Sequence, residues 1–318
     1  MQAETHNPQI TSTVIMIYPR DFSFNEQTAV DNEFQTQPNL SKSEVLSSVL
    51  KEFETSVALL RENGIEVIVI DKKEDLNLEK DSTPDSIFPN NWLSTNEKGQ
   101  VFIYPMCTEN RRLETKQYPL IEKKLIENGF EIKEKIEILG KEGQYLEGTG
   151  SMIFHRKKNS IFAAISLRTN AELLAKYAQI TGESIISFTS LSSNNKPFYH
   201  TNIVLCIGEG FATVCLESVK DLDEKARILE NLKDLEIVEI SLKQAEESLC
   251  GNMLHLKSKD NGKRKIVLSE RAFNGLTKEQ KEKLEKYGEF VRLPIKLVED
   301  IGGGSARCML CEVFLNRK

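Results

Sequence analysis

Three kinds of pattern are missing from this 318-residue chain. It has no basic stripe: 42 Lys and Arg are interspersed with 48 Asp and Glu, for a net charge of -6. That leaves no electrostatic footing for nucleic acid and no cationic face for a membrane. It has no apolar run approaching the roughly 20 residues of a transmembrane helix, and its opening MQAETHNPQITS lacks the charged-then-apolar order of a secretory signal. The chain is accordingly read as cytoplasmic. It also lacks any low-complexity tract or Pro- and Gly-rich linker that would divide it. Its six cysteines are expected to be thiols, because a chain of this length has little need of disulfide staples. No HExxH or clustered Cys/His spacing suggests a metal, and neither GEG nor GTG is followed by the GK[ST] of a phosphate loop.

What is present is a repeated phrase: strand, turn, strand, amphipathic helix, strand. The clearest copy runs SMIFHR (151–156), a turn through KKN, SIFAAISL (160–167), a helix over 170–182 ending at glycine, and SIISF (184–188). A second copy begins with the hairpin 202–219, turning at Gly208 and Gly210, and continues through ARILENLK and EIVEIS. NMLHLKS, KRKIVLS, TKEQKEKLEKYG and FVRLPI form a third. NWLSTNEKGQVFIYPM, YPLIEKKLIENGF and EKIEIL form a fourth. A fifth is split, with MLCEVFL near the C-terminus expected to pair beside TVIMIYP near the N-terminus, followed by a long helix and EVIVI. Joining the terminal strands would remove an open sheet edge. Five ββαβ units with pseudo-five-fold symmetry predict one α/β propeller domain over 1–318, in preference to a doubly wound sheet, because the hairpins imply local antiparallel pairing.

Candidate chemistry begins at GGGSARCM. An isolated cysteine near a terminal strand is ordinarily a buried small hydrophobe. Three glycines before Cys308 let backbone approach a ligand closely, which points instead to a thiol at a cavity rim. Cys311, expected to lie in a strand and to face away from Cys308, is read as core. Cys206 and Cys215 are read as packed in apolar strands; Cys107 and Cys250 stay open. A nucleophilic cysteine needs a proton acceptor. Of four histidines, His6 lies near the N-terminus, His155 beside two lysines reads as a solvated surface residue, and His255 reads as a satisfied strand residue. His200, where a polar loop (189–202) meets a buried strand, is the choice. Glu147, in a glycine-flanked turn entering a strand, is the third candidate, against the plain reading of a turn glutamate.

FSFNEQTAVDNEFQ, PDSIFPNNW, YPMCTENRR, EGTGSM, YHTN, FATVCLESV, GNML, SERA and GGGSARCM resemble, in order, segments of the guanidine-modifying or pentein superfamily, and most nearly its citrulline-utilisation hydrolases of the CtlX type. The resemblance implies a five-bladed α/β propeller, with Cys308 as nucleophile, His200 as acid/base and Glu147 as the acidic partner. It further implies Arg168 as a substrate-carboxylate ligand, with Arg111 or Arg112 as helper, and Asp85 as a contact for the substrate amino group. It implies no cofactor and no metal, and it leaves homo-oligomerisation open.

Two departures carry weight. Arginine deiminases have HxD where this chain has His200-Thr201-Asn202, and aspartate grips the guanidinium where this chain has Asn90 and Asn91. A guanidinium has only donors and a positive charge, whereas a neutral ureido group offers an acceptor carbonyl as well. Amides in place of acids therefore favour a small ureido amino acid, citrulline, over arginine. The alternatives are an arginine deiminase, a dimethylarginine hydrolase, or a non-catalytic propeller that binds a partner.

Overall fold

The computed structural model describes residues 8–71 and 82–318. His6 lies outside them. Among the described residues, fifteen short strands fall into five three-stranded sheets. The first contains β1 (Thr13–Ile17) and β2 (Glu66–Ile70). The second contains β3 (Leu93–Thr95), β4 (Gln100–Ile103) and β5 (Glu134–Glu137), and the third β6 (Ile153–His155), β7 (Ser160–Ala164) and β8 (Ser184–Phe188). The fourth contains β9 (Leu205–Ile207), β10 (Phe211–Val214) and β11 (Glu236–Glu239), and the fifth β12 (Leu254–Lys257), β13 (Arg264–Ser269) and β14 (Glu289–Leu293). Finally β15 (Cys311–Glu312) returns to the first sheet and pairs antiparallel with β1, Val14 opposite Glu312 and Ile15 opposite Cys311. The terminal strands thus share one sheet, as the split repeat predicts.

Each sheet has the same wiring. Its first two strands are antiparallel and its second and third parallel, as in the β6–β7 and β7–β8 pairs. A parallel pair needs a crossover connection, and helices such as Lys42–Glu62, Tyr118–Glu127, Ala171–Thr181, Leu222–Leu232 and Lys278–Glu285 supply it. Local chemistry sets where these helices stop and start. Ser41 and Glu44 form a reciprocal capping box, and the Asn170 side chain accepts from the Glu172 and Leu173 amides. The latter helix ends at Gly182 with φ +83°, the left-handed cap that glycine adopts without strain.

Neighbouring sheets share apolar clusters, so no sheet buries its faces alone. One cluster joins Ile153 and Phe162 to Leu205, Phe211, Ile266 and Leu268; another joins Val14 and Phe53 to Leu254, Leu293 and Cys308. Among the described residues no helix is long and apolar enough to cross a membrane.

Several elements are shorter than the sequence suggests, and the differences matter. Thr201–Ile203 form a 3-10 turn rather than strand, and Ser305 to Leu310 form consecutive turns. Cys308 therefore lies in a turn, outside the strand, and strand alternation does not relate it to Cys311. Cys311 is nonetheless core, 1% exposed, in a cluster separate from that of Cys308. His155 corrects the expectation of a solvated residue. It ends β6 buried, 3.3 Å from Asp234, and burial lowers its pKa. The flanking Lys158 is what reaches outward, so the lysines beside it are no guide to the histidine.

Candidate active site

The first strand of each repeat is entered through a tight corner. Pro89–Asn91 precedes β3, Gly148–Ser151 precedes β6, Thr201–Ile203 precedes β9, a turn over 249–252 precedes β12, and 305–310 precedes β15. These corners carry Asn90 and Asn91, Glu147, His200 and Asn202, Asn252, and Cys308 respectively, every one of them buried. The first strands β6 and β9 touch, as do β15 and β3, which draws the corners together.

Glycines set how close they come. A Cβ on Gly150 would stand 2.5 Å from Asn91 Nδ2 and 2.8 Å from His200 Nδ1, so three corners meet at that residue. Gly303 has φ +67°, and its carbonyl accepts the Tyr199 hydroxyl at 2.9 Å. Ser305 Oγ donates to the buried Glu299 carboxylate at 2.5 Å, bracing the turn that presents Cys308.

The Cys308 sulfur receives the amide of Asn202 at 3.4 Å and that of Asn252 at 3.3 Å. His200 Nε2 lies 2.8 Å from Glu147 Oε2, and the other oxygen of Glu147 accepts the Cys107 backbone N–H at 3.0 Å. Burial would push the Glu147 carboxyl up, but the charge on Arg168 and the bond to His200 override it and hold it well below the usual carboxylate range. Burial depresses the His200 pKa, with Glu147 opposing. The pair is an ionised carboxylate orienting a neutral imidazole.

Asn91 is fixed end for end. Arg111 Nη1 donates to its Oδ1 at 2.7 Å, and since a guanidinium cannot accept, the oxygen must face Arg111. Its Nδ2 is then a buried donor with no partner among the described residues, aimed at Gly150 and His200. Neither side-chain polar atom of Asn90 has a partner there, nor does Asn202 Oδ1. Asp85 is held by Asn25 Nδ2 at 2.8 Å and Thr28 Oγ1 at 3.0 Å through one oxygen, while its other oxygen is buried and unpaired among the described residues. Burial raises its pKa against the nearby Arg111 charge.

The arginines divide. Arg168 is 2% exposed, makes both bonds of a fork to Asp31, reaches Glu147 at 3.5 Å and lies over the Tyr199 ring at 4.8 Å. Arg111 is spent on Glu114, at 2.9 and 3.0 Å, on Asn91 and on the Phe88 carbonyl, which makes it a support for Asn91. Arg112 is not brought in: it donates to the Met106 and Cys107 carbonyls and stacks on Tyr145. A cavity of about 220 Å³ adjoins the site and shares Asp31 and Tyr199 with it. Asn252, Asp31 and Tyr199 are not among the residues expected from the sequence. A signal for Asn252 is nevertheless present, because it follows a glycine two residues ahead of a first strand, where Asn91 stands before β3.

Three comparisons with known proteins bear on this arrangement. No curated protein sequence matches the chain significantly. Solved structures do match in fold. The N-terminal domain of ArgZ, an arginine dihydrolase from the ornithine-ammonia cycle in cyanobacteria, superposes with a TM-score of 0.70 at 16% identity, covering 95% of this chain and 97% of that one. Unliganded AgrE gives 0.71 at 15% identity, over 97% of this chain and 40% of AgrE. DDAH from Pseudomonas aeruginosa, complexed with citrulline, gives 0.64 at 14% identity, over 96% and 100%. A family profile described as "N,N dimethylarginine dimethylhydrolase, eukaryotic" matches residues 18–315. With that match over nearly its whole length, on five repeats whose corners converge, the chain belongs to the N,N dimethylarginine dimethylhydrolase family of the guanidine-modifying pentein superfamily.

Proposed function

We propose that this protein is a cysteine-dependent hydrolase of a small ureido amino acid, citrulline, releasing ornithine, ammonia and carbon dioxide. One observation carries the choice of head group: Asn91 spends its oxygen on Arg111 and turns a buried, unpaired N–H toward His200. A ureido carbonyl satisfies that donor. A guanidinium has no acceptor to offer and would leave it unpaired, which costs about 1–3 kcal/mol. The unpaired Asn202 oxygen suits a ureido N–H in turn.

The placement supports covalent chemistry at Cys308. Cys308 passes its proton to His200, and the sulfur lone pair forms a bond to the ureido carbon. The C=O electron pair moves onto oxygen, where the Asn91 N–H receives it. Charge-directed donors of this kind are worth roughly 3–4 kcal/mol each. As the carbonyl reforms, the C–N bond breaks toward nitrogen, which takes the proton back from His200 and leaves. His200 then removes a proton from water, whose oxygen adds to the carbon and displaces sulfur as thiolate; His200 returns that proton to the sulfur, and the resulting carbamic acid splits to amine and carbon dioxide. Glu147 keeps the imidazole in register throughout. Asp85 offers its free oxygen to the α-ammonium group. Arg168 binds the α-carboxylate in place of Asp31.

The six cysteines are unpaired, in keeping with a cytoplasmic enzyme, and the likeness to CtlX-type hydrolases agrees with the substrate. A second reading, hydrolysis of arginine or a methylarginine, draws on the ionised Glu147 and on Asp85, carboxylates able to meet a cation. Incubating the purified protein separately with citrulline, arginine and dimethylarginine, then assaying ornithine, citrulline and ammonia, decides between them. Ornithine from citrulline is the expected result; citrulline accumulating from arginine, with citrulline itself inert, would overturn it.

A further inference from the structure

The sulfur of Cys308 is bonded to two neutral amides, and the hydrolytic steps leave one of them, Asn252, without a task. Asn252 is 1% exposed. Its Oδ1 accepts the Arg307 backbone N–H at 3.0 Å, and a backbone N–H can only donate, so the oxygen is fixed there. Its Nδ2 must then point the other way, 3.3 Å from the sulfur and 3.3 Å from the Asn202 carbonyl. The corner that carries it is unusually tight. Leu249 holds a left-handed φ of +52°, and a Cβ on Gly251 would fall 2.2 Å from the Ile203 carbonyl oxygen. Only glycine permits that approach, which lays the Asn252 corner against the Asn202 corner.

The donor count favours one charge state of the sulfur. Two N–H groups face it, at 3.4 and 3.3 Å, while the nearest acceptor, Asn252 Oδ1, stands farther off at 3.7 Å and shares its two lone pairs with the Arg307 N–H. Donors stabilise a sulfur anion far more than a thiol, whose sulfur is only a weak acceptor. His200 gives its Nε2 to Glu147, while its Nδ1 lies against Gly150 and makes no hydrogen bond to the sulfur. A guanidinium substrate would bring positive charge to the sulfur; a ureido substrate brings none.

We infer that Asn252 is a catalytic residue which, together with Asn202, stabilises by two amide donors the thiolate that Cys308 becomes on giving up its proton, supplying the stabilisation that a neutral substrate cannot. The need for it rests on the ureido reading above; the geometry does not. The charged and titratable groups around the sulfur each keep another partner. Glu147, His200 and Arg168 are joined to one another. Asp85 lies with Asn25 and Thr28, and Arg111 with Glu114. Tyr199 donates to Gly303, and Arg307 pairs with Glu312 on the cysteine's own segment.

The test follows alkylation of Cys308 by iodoacetamide against pH in the free enzyme, read by peptide mass spectrometry. In Asn252→Ala the midpoint moves up by about one pH unit, the worth of one charge-assisted hydrogen bond. In Asn252→Asp, which has the same shape and keeps the acceptor for Arg307, it moves up at least as far, because a carboxylate now faces the sulfur. At an assay pH below the midpoint the alkylation rate falls about tenfold for every pH unit the midpoint climbs. An unmoved midpoint in Asn252→Asp, with a native circular dichroism spectrum, overturns the inference, since a packing role alters melting temperature and not the profile. Asn252→Asp decides the matter where Asn252→Ala does not fold. No substrate is present, so the two readings fail separately. A shifted profile in a protein inert toward citrulline sinks only the substrate reading, and an unshifted one in a protein that turns citrulline over sinks only the role of Asn252.

Discussion

At the scale of single residues, charge state and hydrogen-bond direction decide more than residue type. Asn91 differs from aspartate by one atom, yet Arg111 makes that atom a donor aimed into the site. Asn91→Asp is expected to lower kcat/KM for citrulline by at least about 10²-fold, the usual cost of one transition-state donor, while arginine becomes a better ligand; parallel kinetics with both substrates check it. Cys308→Ala is expected to abolish turnover with the fold retained. His255 shows the same directionality in stability. Its Nδ1 accepts the Glu209 N–H at 2.9 Å, and burial lowers its pKa from 6.5 to about 4. Above 6.5 the ring is neutral in both folded and unfolded chains, so its contribution is complete. Between 6.5 and about 4 only the unfolded chain takes the proton, and stability falls as pH falls, by on the order of 3 kcal/mol. Thermal melts from pH 7 to 4 should be flatter in His255→Gln than in the native protein. At this scale the sequence is readable where a residue type has few uses, as with a cysteine after three glycines. It is unreadable where partners come from far along the chain: Asp31 meets Arg168 across 137 positions, and no local pattern signals that.

At the scale of elements, the corners do the positioning. Gly148–Ser151 is one turn long, too short to be stable alone, and persists because it is packed between the Asn91 and His200 corners. Gly150→Ala should therefore cost kcat about 10²-fold or more while moving the melting temperature by only a few degrees, since the added methyl displaces Asn91 Nδ2 and His200 rather than core. Kinetics and a melting curve on the same preparation separate the two effects. Helices and hairpins are legible because period and caps are local: Asn170 and Gly182 bound their helix as written. The 3-10 corners are not. They read as extended sequence, since TNI and CMLC carry apolar residues that a strand would also use, and only contact with other repeats bends them. His155 misleads for a related reason, its exposure being set by how β6 sits against its neighbours and not by the lysines that follow.

At the scale of the molecule, the sheet shared by β1 and β15 closes the circle of repeats. Thr11 Oγ1 donates to the Val313 carbonyl at 2.6 Å, and the Val313 and Phe314 amides donate to the Thr13 carbonyl and to Thr95 Oγ1 at 2.9 and 2.8 Å. Val313, Phe314 and Leu315 are all buried. Three such side chains are worth roughly 5–8 kcal/mol, the size of a whole domain's net stability of about 5–15 kcal/mol. Deleting 311–318 should thus abolish the cooperative thermal transition, which calorimetry would register directly. The repeat itself is legible, because five copies of one strand-helix rhythm reinforce each other even where single strands are ambiguous.

That the groups proposed to react come from different repeats has an evolutionary corollary. Substituting one group leaves four others on independent footings, and of these groups only Cys308 packs into one of the apolar clusters that keep the chain folded. A new head-group preference is then reachable by isolated point changes, with no reshaping of a common loop. Saturating positions 90, 91, 202 and 252 alone should be enough to move the enzyme between charged and uncharged nitrogen compounds.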